Sequence, residues 1–285
     1  MRIDELQLDP STINFLKSEG YTKLYPPQND AIKAGVLNGK SVLVSVPTAS
    51  GKTLIAILAA LSHISKHKTK VVYLSPLRAL ASEKFEEFKK LEKLDLGRKI
   101  KVAISTGDSN LTENKLDDAD VIILTNETMD ANMAFERDWV FQIGLVISDE
   151  IHLIGDSTRG PTLEMILTRL RTEFITPPPK IIGLSATISN GNELAKWLKC
   201  ELVESEWRPV PLIEAVYSNH VIMTSQDSEY SEGNLNEKRE SRHTKPAIGL
   251  GLDTIENGDQ CLIFTMTRKS SVRTATDAGL DVIIC

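Results

Sequence analysis

Short runs of consecutive apolar residues recur along the chain, and longer helical patterns separate them. The runs cover residues 41–46, 71–75, 101–106, 121–125, 145–148, 181–185 and 261–265. Runs that are apolar at every position are typical of strands buried on both faces of a parallel sheet. The sequence therefore predicts an α/β fold in which helices cover both faces of a parallel sheet.

The first run leads through a tight loop into a helical pattern over residues 54–64. The loop reads VPTASGKT and consists of Val46, Pro47, Thr48, Ala49, Ser50, Gly51, Lys52 and Thr53. A strand, a tight loop and a helix N-terminus together present backbone N–H groups to an anion. Lys52 can reach the outer phosphates of a nucleotide, and the Thr53 hydroxyl can ligate Mg²⁺. Val46 replaces the first glycine of the usual pattern, so a plain strand-to-helix turn stays an alternative.

An acidic pair follows a later apolar run, at the start of the sequence DEIH. Asp149 at the end of a strand can hold Mg²⁺, and Glu150 beside it can polarise the attacking water. The alternative is an acidic pair that simply ends a strand at the surface. With the loop upstream, the pattern predicts an ATP and Mg²⁺ site in which Lys52, Asp149 and Glu150 are catalytic and Thr53 and Asp149 are metal ligands.

Composition limits the partners and the compartment. The 285 residues carry a net charge of −6, so any nucleic-acid binding must come from a local groove rather than from an overall basic surface. The longest apolar run, residues 54–61, is far too short for a membrane span. Cys200, Cys261 and Cys285 are odd in number and widely spaced. This usage indicates a reducing, cytoplasmic location without a disulfide scaffold or a zinc site.

The alternation of strands and helices defines the domain organisation. Residues 1–200 are predicted to form one complete α/β unit, and residues 201–285 contain a different pattern. A stiff Trp-Arg-Pro-Val-Pro stretch at 207–211 is typical of a linker. Residues 218–246 are polar and are predicted to form a mobile loop or a frayed hairpin.

Several further motifs stand in a fixed order around these two. They are YPPQ (25–28), SPLRAL (75–80), STGD (105–108), TNE (125–127), SAT (185–187), WRPVPL (207–212) and LIFTMTRKSS (262–271). The series resembles superfamily-two DExH-box helicases of the Ski-like branch, in particular the archaeal Hjm group, as far as about residue 271. The resemblance implies a RecA-like first domain, followed by the beginning of an incomplete second RecA-like domain within residues 201–285.

The resemblance also implies roles around the nucleotide. Gln28 is similar to the glutamine that reads adenine, and its amide can donate to and accept from one base edge. His152, Ser185 and Thr187 resemble the residues that couple the nucleotide to the nucleic acid. From the residues alone, Gln28 could equally be a glutamine that starts a helix, and Ser185 and Thr187 could belong to a simple turn.

A second set of residues is implied to contact nucleic acid. Pro76, Arg78, Thr106 and Thr125 fall in motifs that line the strand-binding face of such helicases, and loops at the carboxyl ends of parallel strands are where these sheets bind ligands. Their hydroxyl, backbone and guanidinium groups suit phosphate contacts that do not read sequence. The alternative for each residue is a cap at the end of a strand.

The implied function is that of an ATP-dependent 3′→5′ DNA helicase, a monomer that acts on stalled forks and on single-stranded or branched DNA. Such helicases have a QxxGRxGR motif that supplies arginines to the ATP site, whereas the Gly-Arg pair of this sequence is Gly97-Arg98 in the first domain. We therefore expect these residues alone to bind ATP and DNA without unwinding. A Ski-like RNA helicase fragment and a catalytically silent nucleotide-binding module are the alternative interpretations.

Overall fold

The computed structural model describes residues 1–107, 113–172, 174–218, 221–224 and 246–279. The chain divides into two compact units, Met1–Val210 and Pro211–Cys285. The strands are β1 Val42–Ser45, β2 Lys70–Ser75, β3 Val102–Ser105, β4 Val121–Thr125, β5 Ile143–Ser148, β6 Lys180–Ser185, β7 Glu201–Glu204, β8 Ala215–Ser218 and β9 Val221–Thr224. The helices of the first unit are α1 Pro10–Ser18, α2 Pro26–Lys33, α3 Lys52–Lys66, α4 Arg78–Lys89, α5 Glu113–Asp117, α6 Asn126–Ala134, α7 Gly160–Arg171 and α8 Gly191–Leu198.

The described residues of the second unit form the antiparallel pair β8 and β9 and two helices, α9 Pro246–Glu256 and α10 Arg268–Asp277. The predicted loop over 218–246 overlaps β9, and residues 219–220 and 225–245 lie outside the described part of the chain. Asp108 of the STGD motif also lies outside it. That the second unit begins a RecA-like domain, and that the domain boundary lies at residue 200, stay predictions.

One parallel sheet organises the first unit. Its strand order is β3-β4-β2-β5-β6-β1-β7, and every neighbouring pair is parallel. The carboxyl ends of parallel strands lie at the same edge of a sheet, so the loops after β1, β6 and β5 are neighbours there. The loops after β2, β4 and β3 follow along the same edge. The predicted α/β class with a parallel sheet is confirmed.

Both faces of the sheet are apolar, which explains the uninterrupted hydrophobic runs. Alternate residues of a strand point to opposite faces. Val44, Tyr73 and Ile147 thus pack into a core with α3 and α4. Leu43 and Val72 point the other way, into a second core formed with α6, α7 and α8.

The strand assignments differ from the sequence prediction in several places, since β7 and β8 lie outside the predicted apolar runs and one predicted run forms no strand. Strand β7 has the pattern Glu-Leu-Val-Glu, because it lies at the edge of the sheet and its two glutamates are exposed. Its pairing with β1 continues the sheet through Glu204. The predicted strand at 261–265 is wrong: these described residues form no ladder, and Leu262 and Phe264 are exposed. An apolar run becomes a strand only where a neighbouring strand completes its hydrogen bonds.

Among the described residues, no helix combines the length and the apolar character needed to cross a bilayer.

A buried and an exposed phenylalanine are predicted to respond differently to replacement by alanine. Phe88 of α4 is fully buried and packs edge-on against Tyr73, with 5.3 Å between the ring centroids, whereas Phe135 is 71% exposed. We expect Phe88→Ala to lower the free energy of unfolding by about 3–5 kcal/mol, because it removes buried surface and leaves a cavity. The matched variant Phe135→Ala should change it by about 0.5 kcal/mol or less. Denaturant unfolding measures both, and similar losses in the two variants would contradict this assignment of the core.

Candidate functional site

The loop between β1 and α3 is held in a curled conformation by its own hydrogen bonds. The Val46 N–H donates to the Ser185 carbonyl at 3.2 Å, and the Ser50 hydroxyl donates to the Pro47 carbonyl at 2.6 Å. Ala49 and Gly51 have positive φ angles of 63° and 81°. Helix α3 begins at Lys52, so the N–H groups of its first turn and the positive end of its dipole face the loop. This is the geometry of an anion site.

Gln28 lies directly against this loop. Its Nε2 donates to the Gly51 carbonyl at 3.1 Å, and its Oε1 accepts from the Tyr25 N–H at 2.8 Å. The side chain is buried at 3% exposure. The ring of Tyr25 stands beside that of Trp207, with 4.7 Å between the centroids. The structure thus places Gln28 at the loop, where it caps α2 and supports Gly51, and its contact with adenine stays a proposal.

Lys52 sits inside the curl. Its Nζ donates to the carbonyls of Val46 at 3.1 Å and Pro47 at 3.3 Å. Burial lowers the pKa of Lys52 below its ordinary value, and the negative charges of Glu150 and Asp149 offset part of that effect. The charges of the acidic pair thus act on the loop lysine, and the catalytic roles of these residues stay proposals.

The carboxylate of Asp149 has a fixed orientation. Its Oδ2 accepts from the Tyr73 hydroxyl at 2.6 Å, and its Oδ1 accepts from the Glu150 N–H at 3.0 Å. Tyr73 is fully buried on β2, the strand beside β5. Burial, followed by the negative charge of Asp149, raises the pKa of Tyr73 well above its ordinary value. The phenol therefore stays protonated and remains a donor to Asp149.

Glu150 and His152 connect the acidic pair to β6. Glu150 has a positive φ of 47° and precedes a 3₁₀ turn at Ile151–Gly155. The Nδ1 of His152 lies 3.3 Å from Glu150 Oε2 and 3.4 Å from the Ser185 hydroxyl. The structure thus brings His152 and Ser185 together beside the acids, whereas Thr187 is exposed two residues farther on.

The residues predicted to contact nucleic acid line one groove of about 470 Å³ at the carboxyl ends of β2, β3 and β4. We call it the strand-end groove. Its lining consists of Pro76, Leu77, Arg78, Thr106, Gly107, Thr125, Glu127, Thr128, Ala131 and Arg159.

Thr125 also has a structural role in this groove. Its Oγ1 accepts from the Thr128 N–H at 3.4 Å and caps α6. The cap that the sequence left open as an alternative is therefore present, while the same residue lines the groove.

Sequence reasoning missed three residues at these sites: Tyr73, Lys84 and Arg159. Lys84 Nζ donates to the Thr53 hydroxyl at 3.0 Å, and Arg159 lies at the rim of the strand-end groove. A signal existed for Tyr73, because it places a hydroxyl within an otherwise apolar strand. Lys84 ends the sequence RALASEK (78–84), in which the motifs imply a role in nucleic-acid binding for Arg78 alone.

The site residues fit a magnesium nucleotide. A hydroxyl on Thr53 and a carboxylate on Asp149 are hard oxygen ligands of the kind that Mg²⁺ prefers. The loop also leaves no room at Gly51, where a Cβ would lie 2.1 Å from Gln28 Nε2. Glycine at this position therefore lets Gln28 pack directly against the loop backbone beside the helix N-terminus.

The fold and the site together are those of a nucleotide-dependent helicase domain. The pattern of the DEAD/DEAH box helicase family matches residues 25–194, more than half of the chain, so the chain belongs to this family. The family resemblance that the sequence motifs indicated is confirmed.

Relatives and a solved structure agree with this assignment. The chain is 43% identical over 276 residues to the ATP-dependent DNA helicase Hel308 of Caldivirga maquilingensis, which covers 96% of this chain and 35% of that protein. It is 39% identical over 282 residues to Hel308 of Thermococcus kodakarensis, which covers 99% of this chain and 23% of that protein. The crystal structure of the DUF1998 helicase MrfA matches 96% of this chain and 41% of its own, with a TM-score of 0.73 and 22% identity. The RecA-like fold class is confirmed, and the chain spans about a third or less of the length of these two Hel308 relatives.

Two glycines with similar backbone angles allow a matched test of the loop. Gly51 has a φ of 81° and Gly97 a φ of 78°, but a Cβ has open space at Gly97 and meets Gln28 at Gly51. Gly97→Ala should cost about 1–2 kcal/mol of unfolding free energy through backbone strain alone. Gly51→Ala should cost about 1 kcal/mol more, because displacing the buried amide breaks its hydrogen bond to the loop. Equal losses in denaturant unfolding would show that Gln28 does not support the loop.

Proposed function

We propose that this chain is the motor portion of an ATP-dependent DNA helicase that couples ATP hydrolysis to movement along single-stranded DNA. The observation that carries the proposal is the clustering of three loops at one edge of the sheet. They follow β1, β6 and β5, and beside them lie Lys52 at the start of α3, Ser185 at the end of β6 and the Asp149–Glu150 pair after β5. The Hel308 relatives and the family match support the same activity.

In this proposal each residue at the loop has one task. Lys52 and the first-turn amides of α3 hold the outer phosphates, and Gln28 contacts the adenine edge. Thr53 and Asp149 would hold Mg²⁺, which would neutralise negative charge on the phosphates of ATP. Glu150 orients and polarises the water. His152, between Glu150 and Ser185, senses which nucleotide state the acids face.

The strand-end groove is the proposed DNA site. Its cationic groups are Arg78 and Arg159, and its hydroxyls come from Thr106, Thr125 and Thr128. These groups recognise phosphates rather than base edges, so we propose binding that is independent of sequence. The chain as a whole is acidic at −6, and binding therefore depends on this local groove.

The finer aspects of the function are proposals drawn from the family. They are 3′→5′ polarity, action on stalled forks and branched DNA, a monomeric state and a cytoplasmic location. The motif QxxGRxGR does not occur in the 285 residues. Because an arginine supplied to the ATP site increases the rate by about 10³–10⁵, we propose that these residues alone bind ATP and DNA and do not unwind duplexes.

Two substitutions in the ATP site should separate binding from hydrolysis. Lys52→Ala should weaken binding of a fluorescent ATP analogue by about tenfold or more, because it removes a charge-assisted hydrogen bond. Glu150→Gln should leave that affinity within about threefold and lower single-turnover hydrolysis by about 10²–10⁴, because the general base is lost. The exposed Lys33→Ala serves as the control. Unchanged hydrolysis in Glu150→Gln would contradict the assigned role of the acid.

Arg78 allows a test of the groove. Arg78→Ala should weaken binding to an oligo(dT) strand by about three- to tenfold and reduce the slope of log affinity against log salt by about 0.7. Arg98→Ala is the control, because Arg98 pairs with Asp120 just ahead of β4, at the opposite edge of the sheet.

Two outcomes of these binding measurements would contradict the proposal, one for the groove and one for the kind of nucleic acid. Equal loss in the two arginine variants would exclude the strand-end groove as the DNA site. Tighter binding of single-stranded RNA than of DNA would favour the Ski-like RNA helicase over the DNA helicase, since the 2′-hydroxyl distinguishes the two.

A further inference from the structure

Lys84 is a buried lysine whose ammonium group points at the proposed magnesium site. Its side chain is 11% exposed, and its Nζ donates to Thr53 Oγ1 at 3.0 Å, Glu87 Oε2 at 3.0 Å and Glu83 Oε1 at 3.3 Å. An ammonium group has three protons, and these three acceptors use all of them. The position of the Nζ is therefore fixed, and the two carboxylates compensate its charge.

Tyr73 makes the corresponding contact to the other proposed metal ligand. Its hydroxyl donates to Asp149 Oδ2 at 2.6 Å, and its fully buried ring is held by Phe88 of α4. Tyr73 lies on β2 and Lys84 on α4, and these two elements are consecutive in the chain. One strand–helix unit thus contacts both Thr53, at the start of α3, and Asp149, at the end of β5.

We propose that Tyr73 and Lys84 are positioning residues that hold the two protein ligands of Mg²⁺, Asp149 and Thr53, in their ligating orientation. The inference rests on the proposed function, since it concerns the metal of the same ATP site. Each donor forms a hydrogen bond with one lone pair of its ligand group. This bond limits the rotation of the hydroxyl or the carboxylate and leaves another lone pair available to the metal. Groups that act this way through a ligand typically change metal affinity by about 10–100-fold when removed.

The proposal distinguishes metal positioning from general stability, because it concerns only nucleotide binding that requires Mg²⁺. The test measures the affinity of the 285-residue chain for a fluorescent ADP analogue, once with Mg²⁺ and once with EDTA. Tyr73→Phe removes a single hydroxyl and keeps the ring, and Lys84→Met keeps the length of the side chain without its charge. Each variant should weaken binding by about tenfold or more with Mg²⁺ and leave binding in EDTA unchanged.

Two matched controls report the effect of losing similar groups elsewhere. Lys70→Met removes a buried lysine at the opposite end of β2, where Nζ donates to the carbonyls of Asp117 and Ala119 at 2.6 and 2.8 Å. Tyr21→Phe removes a hydroxyl from a half-buried ring that packs against the same core as Tyr73. Both controls should keep the Mg²⁺ dependence of the wild type, whatever they do to the unfolding temperature.

The outcomes separate this inference from the proposed function. If folded Tyr73→Phe and Lys84→Met bind the Mg²⁺ complex as tightly as the wild type, the inference is overturned while the ATP site stands. Equal weakening with Mg²⁺ and with EDTA also overturns it, because the residues then support the loop in general. If the wild type binds no nucleotide under either condition, the proposed function fails first. Should Lys84→Met not fold, Tyr73→Phe decides the question alone.

Discussion

The parallel pairing of β6 between β1 and β5 is the constraint on which the site depends. Neighbouring strands lie about 4.8 Å apart, so the loops that follow β1 and β5 start about 10 Å from each other at one edge. That separation suits a triphosphate with its metal, held by a lysine on one side and carboxylates on the other. The hydrogen bond from the Val46 N–H to the Ser185 carbonyl then fixes the loop after β1 against the end of β6. Register in these strands is set by their two apolar faces, and a slip of one residue would bury the wrong side chains.

Strand β2 and helix α4 belong to both functional regions. The loop between them supplies Pro76, and α4 begins with Arg78 in the strand-end groove. Six residues later, or about 9 Å along the helix axis, Lys84 reaches Thr53. Phe88 then packs against Tyr73 in the core. Helix α4 therefore contacts both the strand-end groove and the nucleotide loop.

The sequence was sufficient for features whose signal is local. Continuous apolar runs located the central strands, and the loop and the DEIH motif lie where parallel topology requires. Edge strand β7 gave no such signal, because exposure on an edge allows glutamates at both of its ends. The contacts of Tyr73 and Lys84 could not be read from the sequence for another reason. Their partners lie 76 and 31 residues away on other elements, and only the packing of β2 and α4 brings them within hydrogen-bonding distance.

Among the described non-glycine residues with positive φ, Ala49 and Glu150 lie at the candidate site, whereas Glu136 and Lys199 lie just after helices α6 and α8. Glu150 adopts a left-handed conformation that costs a non-glycine residue about 1–2 kcal/mol. Glycine would adopt this conformation without strain, but it could not supply a carboxylate beside Asp149. The strained turn is stabilised from both sides, by the bond of the Glu150 N–H to Asp149 and by the contact of its carboxylate with His152. Glu150 thus has a strained backbone at the position where we propose that its carboxylate polarises the attacking water, and this is the pattern expected when local rules yield to function.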